Sequence, residues 1–273
     1  SRLEGESTPV TPTRLGRREF VQTGMAAAIP FFAFQPLSAD AARERAAHRP
    51  RNLIYNNDGN DCVVTDAPAT PEGFLSIRMD HIGDCGVNSV FYCTAMSSVF
   101  AHQSKVLEVF TSTARPFQNN RTPVLLKAGT DPLRLAIEWC RRHDTEAFWT
   151  LRMNDIHDNW NSAITAKWKI QRPEWVMGTP EEASGRHMRD PRQIWTLADF
   201  GREEVRDMMA RAVAEVLENY DVDGIELDFL RHICYFRETR LYQPVTDLHR
   251  RQMTDLVRRI RRSVLEAGRR KKK

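Results

Sequence analysis

Apolar residues fall in four short runs along the chain, and polar clusters and helical patterns separate these runs. The runs are RNLIY at 51–55, NSVFYC at 88–93, EAFWTLRMND at 146–155 and DGIELDF at 223–229. Apolar runs of this length, bounded by polar loops, predict β-strands. Strands that alternate with helices pair in parallel, so their carboxyl ends are expected along one edge of the sheet.

Helical periodicity occupies the intervals between the runs. Asp131, followed by a proline, is placed to cap the helix in GTDPLRLAIEWCRRH. Residues 203–220 and 246–267 carry apolar side chains at helical spacing, and Gly268 is predicted to end the second of these helices. The segment at 97–110 is interpreted as a further helix.

The order of these elements predicts an α/β fold of the TIM-barrel type, with parallel strands alternating with helices. The sequence contains four strand–helix units, so the interpretation is a truncated or half barrel at 51–268, with a basic tail at 269–273. The first and fourth strands would then be exposed edges. Such edges could promote self-association unless something covers them.

Residues 1–41 are interpreted as an export signal of the twin-arginine type. Arg17 and Arg18 precede a short apolar stretch and a small-x-small cleavage pattern. The alternative is a core helix, but Pro30 would break it, and the apolar stretch is too short to span a bilayer. We therefore expect a periplasmic or extracellular protein with a polar linker at 42–50 and no stable membrane insertion.

Charge and cysteine content narrow the expected partners. The formal charge is +4, and the five basic residues at 269–273 leave 4 − 5 = −1 elsewhere. We therefore expect no broad basic surface and no nucleic acid as a partner. The five cysteines are widely spaced without a metal-binding pattern, so no zinc site and no cofactor are expected, and one disulfide stays open.

Two acids in the fourth strand are the candidate catalytic residues. Glu226 and Asp228 lie two residues apart, so their side chains share one face of a strand. Close carboxylates disfavour double ionisation, which suits an acid and a nucleophile at a glycosidic bond. Asp228 is the predicted nucleophile or base and Glu226 the predicted acid; alternatively, Glu226 pairs with Arg152 or Arg231 as scaffolding. Gly224 is expected to permit close approach of the backbone.

Polar clusters at the ends of the first and third strands are candidate carbohydrate contacts, because both clusters would lie beside the two acids. The first cluster also fits an ordinary turn, and the histidine in the second is more typical of a hydrogen-bonded positioning group than of a metal ligand. Tryptophan faces can stack on sugar rings, although packing within the loop is an equal alternative. The predicted substrate contacts are Asn56, Asn57, Asp58, Asp61, Arg152, Asn154, Asp155, His157, Asp158, Arg231 and Trp160, and no metal ligand is predicted.

Three segments resemble, in this order, the glycosyl-hydrolase-like barrel proteins of large exported bacterial enzymes. They are LIYNNDGNDC, GTDPLRLAIEWCRRHDTEAFWTLRMNDIHD and ADFGREEVRDMMARAVAEVLENYDVDGIELDF. The resemblance covers residues 51–268 and corresponds to the N-terminal half of an eight-stranded barrel. It implies a carbohydrate polymer as substrate and Asp228 as the fourth-strand acid. The chitinase motif DGxDxDxE is matched only in part, since Leu230 stands where its glutamate belongs.

The leading interpretation is an exported glycoside-hydrolase-like protein that cleaves glycosidic bonds of a polysaccharide by carboxylate chemistry. A different class stays open, namely a carbohydrate-binding pseudoenzyme or an inactive barrel fragment that keeps the polar strand ends without a full catalytic pair. The basic tail could also bind an anionic polymer, although a solvated charged terminus is the commoner outcome.

Overall fold

The computed structural model of the protein describes residues 49–63, 67–187 and 190–271. The predicted signal at 1–41 and most of the predicted linker lie outside these residues. The strands among the described residues are β1 (Ile54–Asn57), β2 (Ser89–Cys93), β3 (Ala95–Met96), β4 (Val99–Phe100), β5 (Glu146–Arg152) and β6 (Gly224–Asp228).

Four of these strands form one sheet in the order β1-β2-β5-β6, and each is parallel to its neighbour. The short β3 and β4 strands pair antiparallel in a separate hairpin. All four predicted strands are present, which confirms the α/β class. Among the described residues β1 and β6 are the edges of the sheet. The architecture is compatible with part of a TIM-barrel-like fold.

Helices connect the strands of the sheet. They are α1 (Pro71–Leu75), α2 (Thr122–Lys127), α3 (Pro132–Arg142), α4 (Lys167–Gln171), α5 (Pro180–Ala183), α6 (Glu203–Asn219), α7 (Arg237–Arg240) and α8 (Asp247–Lys271). The predicted start of α3 is confirmed, because the Asp131 side chain accepts a hydrogen bond from the Arg134 backbone nitrogen at 2.9 Å. Within the described ranges, no helix is long and apolar enough to cross a membrane.

Two helix predictions are wrong. The segment at 97–110 contains the turn between β3 and β4, where Ser97 has a φ of 58°, and an irregular stretch after it. Gly268 does not end α8, which continues to Lys271 and takes in the first residues of the predicted tail. A glycine inside a helix costs only about 1 kcal/mol relative to alanine. The last turn of α8 is held as well, since Lys271 Nζ donates to the Tyr220 carbonyl at 2.6 Å.

One face of the sheet packs against helices and forms the core. Tyr92, Trp149 and Leu151 on this face are fully buried. They belong to one apolar cluster with Trp139 of α3 and Val213 of α6. Removal of these large apolar side chains from water is the main stabilising contribution to the fold. The core therefore fixes the positions of the strands from which the other face projects.

The other face of the sheet is concave. Asn56 of β1 and Glu226 of β6 lie on opposite edge strands, yet Asn56 Nδ2 donates a hydrogen bond to Glu226 Oε2 at 3.4 Å. Three strand spacings separate these residues, about 14 Å along the sheet. The two side chains can meet because the edges curl toward each other, as closure of a barrel requires. The side chains of this face therefore share one hollow.

The packing at the start of β6 leads to a stability prediction. A Cβ at Gly224 would lie 2.1 Å from Cε1 of Phe148, which confirms the predicted close approach. We expect Gly224→Ala to lower the free energy of unfolding by about 1–3 kcal/mol, measured by urea denaturation. Gly83→Ala is the matched control, because its Cβ would meet no atom closer than 3.6 Å. Equal stability of the two variants would contradict this account.

Helix α8 carries a large positive charge. Its 25 residues include eight arginines and one lysine against three acids, a net charge of 9 − 3 = +6. All eight arginines are exposed, while His249, Leu256, Ile260 and Ala267 form the buried face of the helix. The expectation of no broad basic surface is therefore wrong. It counted only the terminal tail, whereas the helix gathers arginines from its whole length on its exposed side.

Candidate active site

Glu226 and Asp228 both lie on the concave face of β6, as the strand alternation predicts. In the parallel register Glu226 is beside Thr150 of β5, and Asp228 is beside Arg152. Both acids are half-buried. Asp228 is the last residue of its strand, so it lies at the edge where the carboxyl ends of the parallel strands meet.

Glu226 is held by two donors of the sheet. Thr150 Oγ1 donates to Glu226 Oε2 at 2.5 Å, and Asn56 Nδ2 donates to the same oxygen at 3.4 Å. The predicted alternative, an ion pair with Arg152 or Arg231, is not found among the contacts of the described residues. The arrangement fixes Glu226 as an acceptor at the centre of the concave face. Its other oxygen, Oε1, accepts no hydrogen bond from a described residue.

Asp228 has one oxygen fixed and one oxygen open. Its Oδ1 accepts a hydrogen bond from the Leu230 backbone nitrogen at 2.8 Å, whereas no described residue hydrogen-bonds to Oδ2. The neighbouring Tyr235 donates its hydroxyl to the Phe229 carbonyl at 2.5 Å. Burial and then the Asp228 charge raise the pKa of Tyr235, so this hydroxyl keeps its proton. The open oxygen, at the carboxyl end of the strand, leaves Asp228 able to reach a ligand.

Arg152 links the ends of β1 and β5. Its side chain is only 8% exposed, and it forms ion pairs with Asp58 after β1 and with Asp155, the latter at 3.3 Å. Asp58 is half exposed at the rim, whereas Asp155 is buried. A guanidinium placed between two carboxylates is strongly oriented. Arg152 therefore fixes the rim of the hollow and leaves the outer side of Asp58 open to solvent.

Asp155 is bound on two sides. Its Oδ1 accepts hydrogen bonds from His157 Nδ1 at 2.5 Å and from the His157 backbone nitrogen at 2.8 Å. Burial alone would raise the pKa of Asp155, but the two hydrogen bonds from His157, the electrostatic attraction of His157 and then the Arg152 charge outweigh it and bring the pKa below its ordinary value. The carboxylate is therefore ionised at neutral pH.

This shift predicts a pH-dependent stability. A carboxyl group whose pKa is depressed by folding stabilises the fold above its unfolded pKa of about 3.9, and this contribution is lost as the pH falls toward the folded value. We expect Asp155→Asn to be less stable than the unsubstituted chain at pH 7. The difference should shrink as the pH falls below about 4. Urea midpoints measured from pH 7 to pH 3 test this, and a difference that does not change with pH would contradict it.

His157 connects this cluster to the residues that follow β6. Its Nε2 lies 3.1 Å from Arg231 Nη2, and its ring makes edge contacts with Trp160 and His232, at centroid distances of 6.2 and 5.7 Å. Trp160 is 64% exposed, so its face is available to a ligand. Burial lowers the pKa of His232, whose Nδ1 is buried with no partner among the described residues. The residues after β5 and β6 thus meet in one cluster.

Two predicted substrate contacts belong to the core side of the sheet. The first strand continues to Asn57, so alternation sends Asn56 to the concave face and Asn57 to the opposite face. Asn57 Nδ2 donates to Asp61 Oδ2 at 2.9 Å, and Asp61 also contacts Tyr92 and Arg78. Both residues are 1% exposed. They hold the loop after β1, and we leave them out of the site.

Asn154 and Asp158 are also internal scaffolding. Asn154 Nδ2 donates to the carbonyls of Ala198 and Cys234 at 2.9 and 2.8 Å. Asp158 forms an ion pair with Lys169 at 2.6 Å, and both side chains are almost fully buried. The dense polar cluster after β5 therefore divides into buried members that fix the loop and partly exposed members that face the hollow.

The sequence interpretation missed two residues of this face. Thr150 lies two residues before Arg152, so strand alternation could have placed it beside Glu226. Cys93, its neighbour on β2, is buried on the same face. Burial raises the pKa of the Cys93 thiol to about 11, which keeps it neutral.

All five cysteines are free, so the single disulfide that the sequence left possible is not formed. In the part of the chain that the structure describes, no group of three or more His, Cys, Asp or Glu could hold a metal ion.

Comparisons with known proteins add a distant likeness to solved structures. No protein-family model matches the chain, and no curated protein matches it. Among solved structures, the chain is similar to TtGalA, an α-galactosidase from Thermus thermophilus in complex with p-nitrophenyl α-D-galactopyranoside, at a TM-score of 0.39 and 17% identity. The likeness covers 84% of this chain and 40% of that one. At this TM-score it supports neither a fold nor an activity, so both depend on the geometry of this chain.

Proposed function

We propose that this chain binds carbohydrate at the carboxyl ends of β1, β5 and β6 and cleaves a glycosidic bond there. The observation that carries the proposal is the convergence of Asn56, Arg152, Glu226 and Asp228 on one concave face. Glycosidic cleavage passes through an oxocarbenium-like state, which needs a carboxylate close to the reacting carbon. Sugar hydroxyls need donors and acceptors in fixed positions, and this face supplies both.

Asp228 is proposed as the nucleophile or base at the reacting carbon. Its Oδ1 is fixed by the Leu230 nitrogen, and no described residue hydrogen-bonds to Oδ2. Glu226 is proposed to orient the sugar through Oε1, because Thr150 and Asn56 hold its Oε2 in place. The remaining contacts to sugar are assigned to exposed or partly exposed groups at the rim, namely Asn56, Asp58, Arg231 and Trp160.

Carbohydrate binding without cleavage is the second candidate function. The exposed Trp160 beside His157 favours it, because a tryptophan face can bind a sugar ring whether or not a bond is cleaved. The same hollow and rim residues would then recognise a polysaccharide without reacting with it. Both candidate functions require carbohydrate binding, but only the first also requires cleavage of a glycosidic bond.

An assay of the full chain on a panel of aryl glycosides and oligosaccharides distinguishes the two functions. We expect release of the aryl group from at least one glycoside, together with saturable binding of the matching oligosaccharide in calorimetry. Saturable binding with no release would select the binding function. Neither binding nor release would overturn the proposal of a carbohydrate site.

We also propose that the exposed edges of β1 and β6 make the protein self-associate. An unpaired parallel edge offers backbone donors and acceptors to another chain. Sedimentation velocity over a hundredfold concentration range should therefore show species larger than one chain, and a single monomeric species throughout would contradict this.

Export through the twin-arginine route remains a proposal from residues 1–41. Replacement of Arg17 and Arg18 by lysine should abolish export of a fused reporter.

A further inference from the structure

A carboxylate, an imidazole and a guanidinium follow one another at the end of β5. Asp155 Oδ1 lies 2.5 Å from His157 Nδ1, and His157 Nε2 lies 3.1 Å from Arg231 Nη2. The inner member is buried, with 2% of the Asp155 side chain exposed, whereas His157 is 40% exposed. Arg231 is also exposed. The three groups therefore run from the buried Asp155 carboxylate, which is fixed, to the exposed Arg231 guanidinium, which can move.

The hydrogen-bonding partners determine the protonation of the ring. An ionised carboxylate only accepts and a guanidinium only donates. His157 must therefore carry a proton on Nδ1 toward Asp155 and an unshared electron pair on Nε2 toward Arg231. Its Nε2 is ready to accept a proton once the exposed Arg231 moves aside for a ligand.

A purely structural role for His157 explains its backbone hydrogen bond but not the orientation of its ring. The His157 backbone nitrogen also donates to Asp155 Oδ1 at 2.8 Å, which is ordinary turn chemistry. That turn does not require the ring to point Nε2 outward, next to an exposed tryptophan. The cluster also adjoins the acids, since Asp155 pairs with Arg152 at 3.3 Å and Arg152 is beside Asp228 in the register of β5 and β6. An imidazole oriented by a buried carboxylate is the arrangement by which proteins prepare a proton-transfer group.

We propose that His157 is the acid and base partner of Asp228, with Asp155 as its positioning residue. This inference rests on the proposed glycosidic cleavage. In the first step, protonated His157 gives its Nε2 proton to the glycosidic oxygen while the bond from that oxygen to the anomeric carbon breaks and Asp228 bonds to the carbon. In the second step, a water oxygen attacks the same carbon, the bond to Asp228 breaks, and neutral Nε2 takes the water proton.

The dependence on the leaving group tests this role in the full chain. Loss of a general acid typically costs about 10²–10⁴-fold. We expect His157→Gln to lose that much kcat/KM on an unactivated oligosaccharide and far less on a dinitrophenyl glycoside, whose leaving group needs no proton. His81→Gln is the control, an exposed histidine in a short turn before β2, and it should behave as the unsubstituted chain.

The pH profile provides the second readout, which a structural role would not move. The first step uses a proton on His157 Nε2, so the activity of the unsubstituted chain should fall toward alkaline pH. Asp155→Asn removes the charge that stabilises the imidazolium, so the alkaline limb should move to lower pH. His157→Gln should abolish this limb.

The outcomes separate the two proposals. Cleavage by the unsubstituted chain, with His157→Gln showing the same leaving-group dependence and the same alkaline limb, would overturn the role of His157 and leave the glycosidase proposal standing. Absence of cleavage of any glycoside by the unsubstituted chain would overturn both. Folding of each variant is checked by its urea midpoint, so a loss of activity is not confused with a loss of structure.

Discussion

Asp228→Asn is expected to lower the rate of glycoside hydrolysis by about 10³-fold or more, because loss of a reacting carboxylate typically costs that much. The substitution keeps the size of the side chain, and the amide oxygen can still accept the hydrogen bond that Leu230 donates to Oδ1. Only the charge at the open oxygen is removed. Sugar binding measured by calorimetry should change little, so the loss should appear in kcat.

The matched control for this substitution is Asp144→Asn. Asp144 is fully exposed at the opposite end of β5 and pairs only at the surface with Arg49. Its replacement should leave hydrolysis and the urea midpoint unchanged. Full activity of Asp228→Asn would show that the open carboxylate takes no part in the reaction, and the assignment of Asp228 would then be wrong.

Lys169→Met is expected to lower the free energy of unfolding by about 3–5 kcal/mol, since removal of one partner from a buried ion pair leaves the other charge uncompensated. Lys169 Nζ lies 2.6 Å from Asp158 Oδ2, with the side chains 5% and 0% exposed. The remaining partner of that oxygen would be the Ser98 hydroxyl at 3.0 Å. Asp158 Oδ1 is buried without a hydrogen-bond partner among the described residues, so nothing nearby replaces the lost charge.

Lys167→Met provides the comparison on the same helix. Lys167 is 78% exposed and pairs with Glu108 at 3.4 Å, a surface contact worth about 0–1 kcal/mol. The double variant Lys169→Met with Asp158→Asn should recover part of the lost stability, because the buried charge is then removed. Urea denaturation of all three variants measures these differences. Equal stability of the Lys169 and Lys167 variants would contradict a structural role for the buried pair.

The strand pattern was sufficient to predict the sheet, because each strand is a short apolar run bounded by polar residues. The predicted helix at 97–110 is not formed, and the reason lies outside the local sequence pattern. Ser98 donates to Asp158, some sixty residues away, and this contact holds the turn of the hairpin. The prediction that α8 ends at Gly268 is wrong for a similar reason. A contact to the end of α6 compensates the weak helix propensity of Gly268.

The candidate site was predictable to the extent that it depends on strand alternation. Glu226 and Asp228 follow directly from their spacing in β6, and Asn56 would have been separated from Asn57 if β1 had been extended by two residues. The division of the cluster after β5 could not be predicted. Four of its five polar residues lie beyond the end of β5 and carry no periodicity, so their burial and their partners are set by tertiary packing alone.

The exposed arginines of α8 make the charge distribution of the molecule strongly one-sided. The helix carries +6, whereas the other residues that the structure describes have 22 basic and 27 acidic side chains and carry 22 − 27 = −5. A negatively charged polymer would consequently be attracted from a distance to one flank of the protein, and the molecule would turn that flank toward it before contact. Such steering weakens as ionic strength rises, because the screening length is about 8 Å at physiological salt.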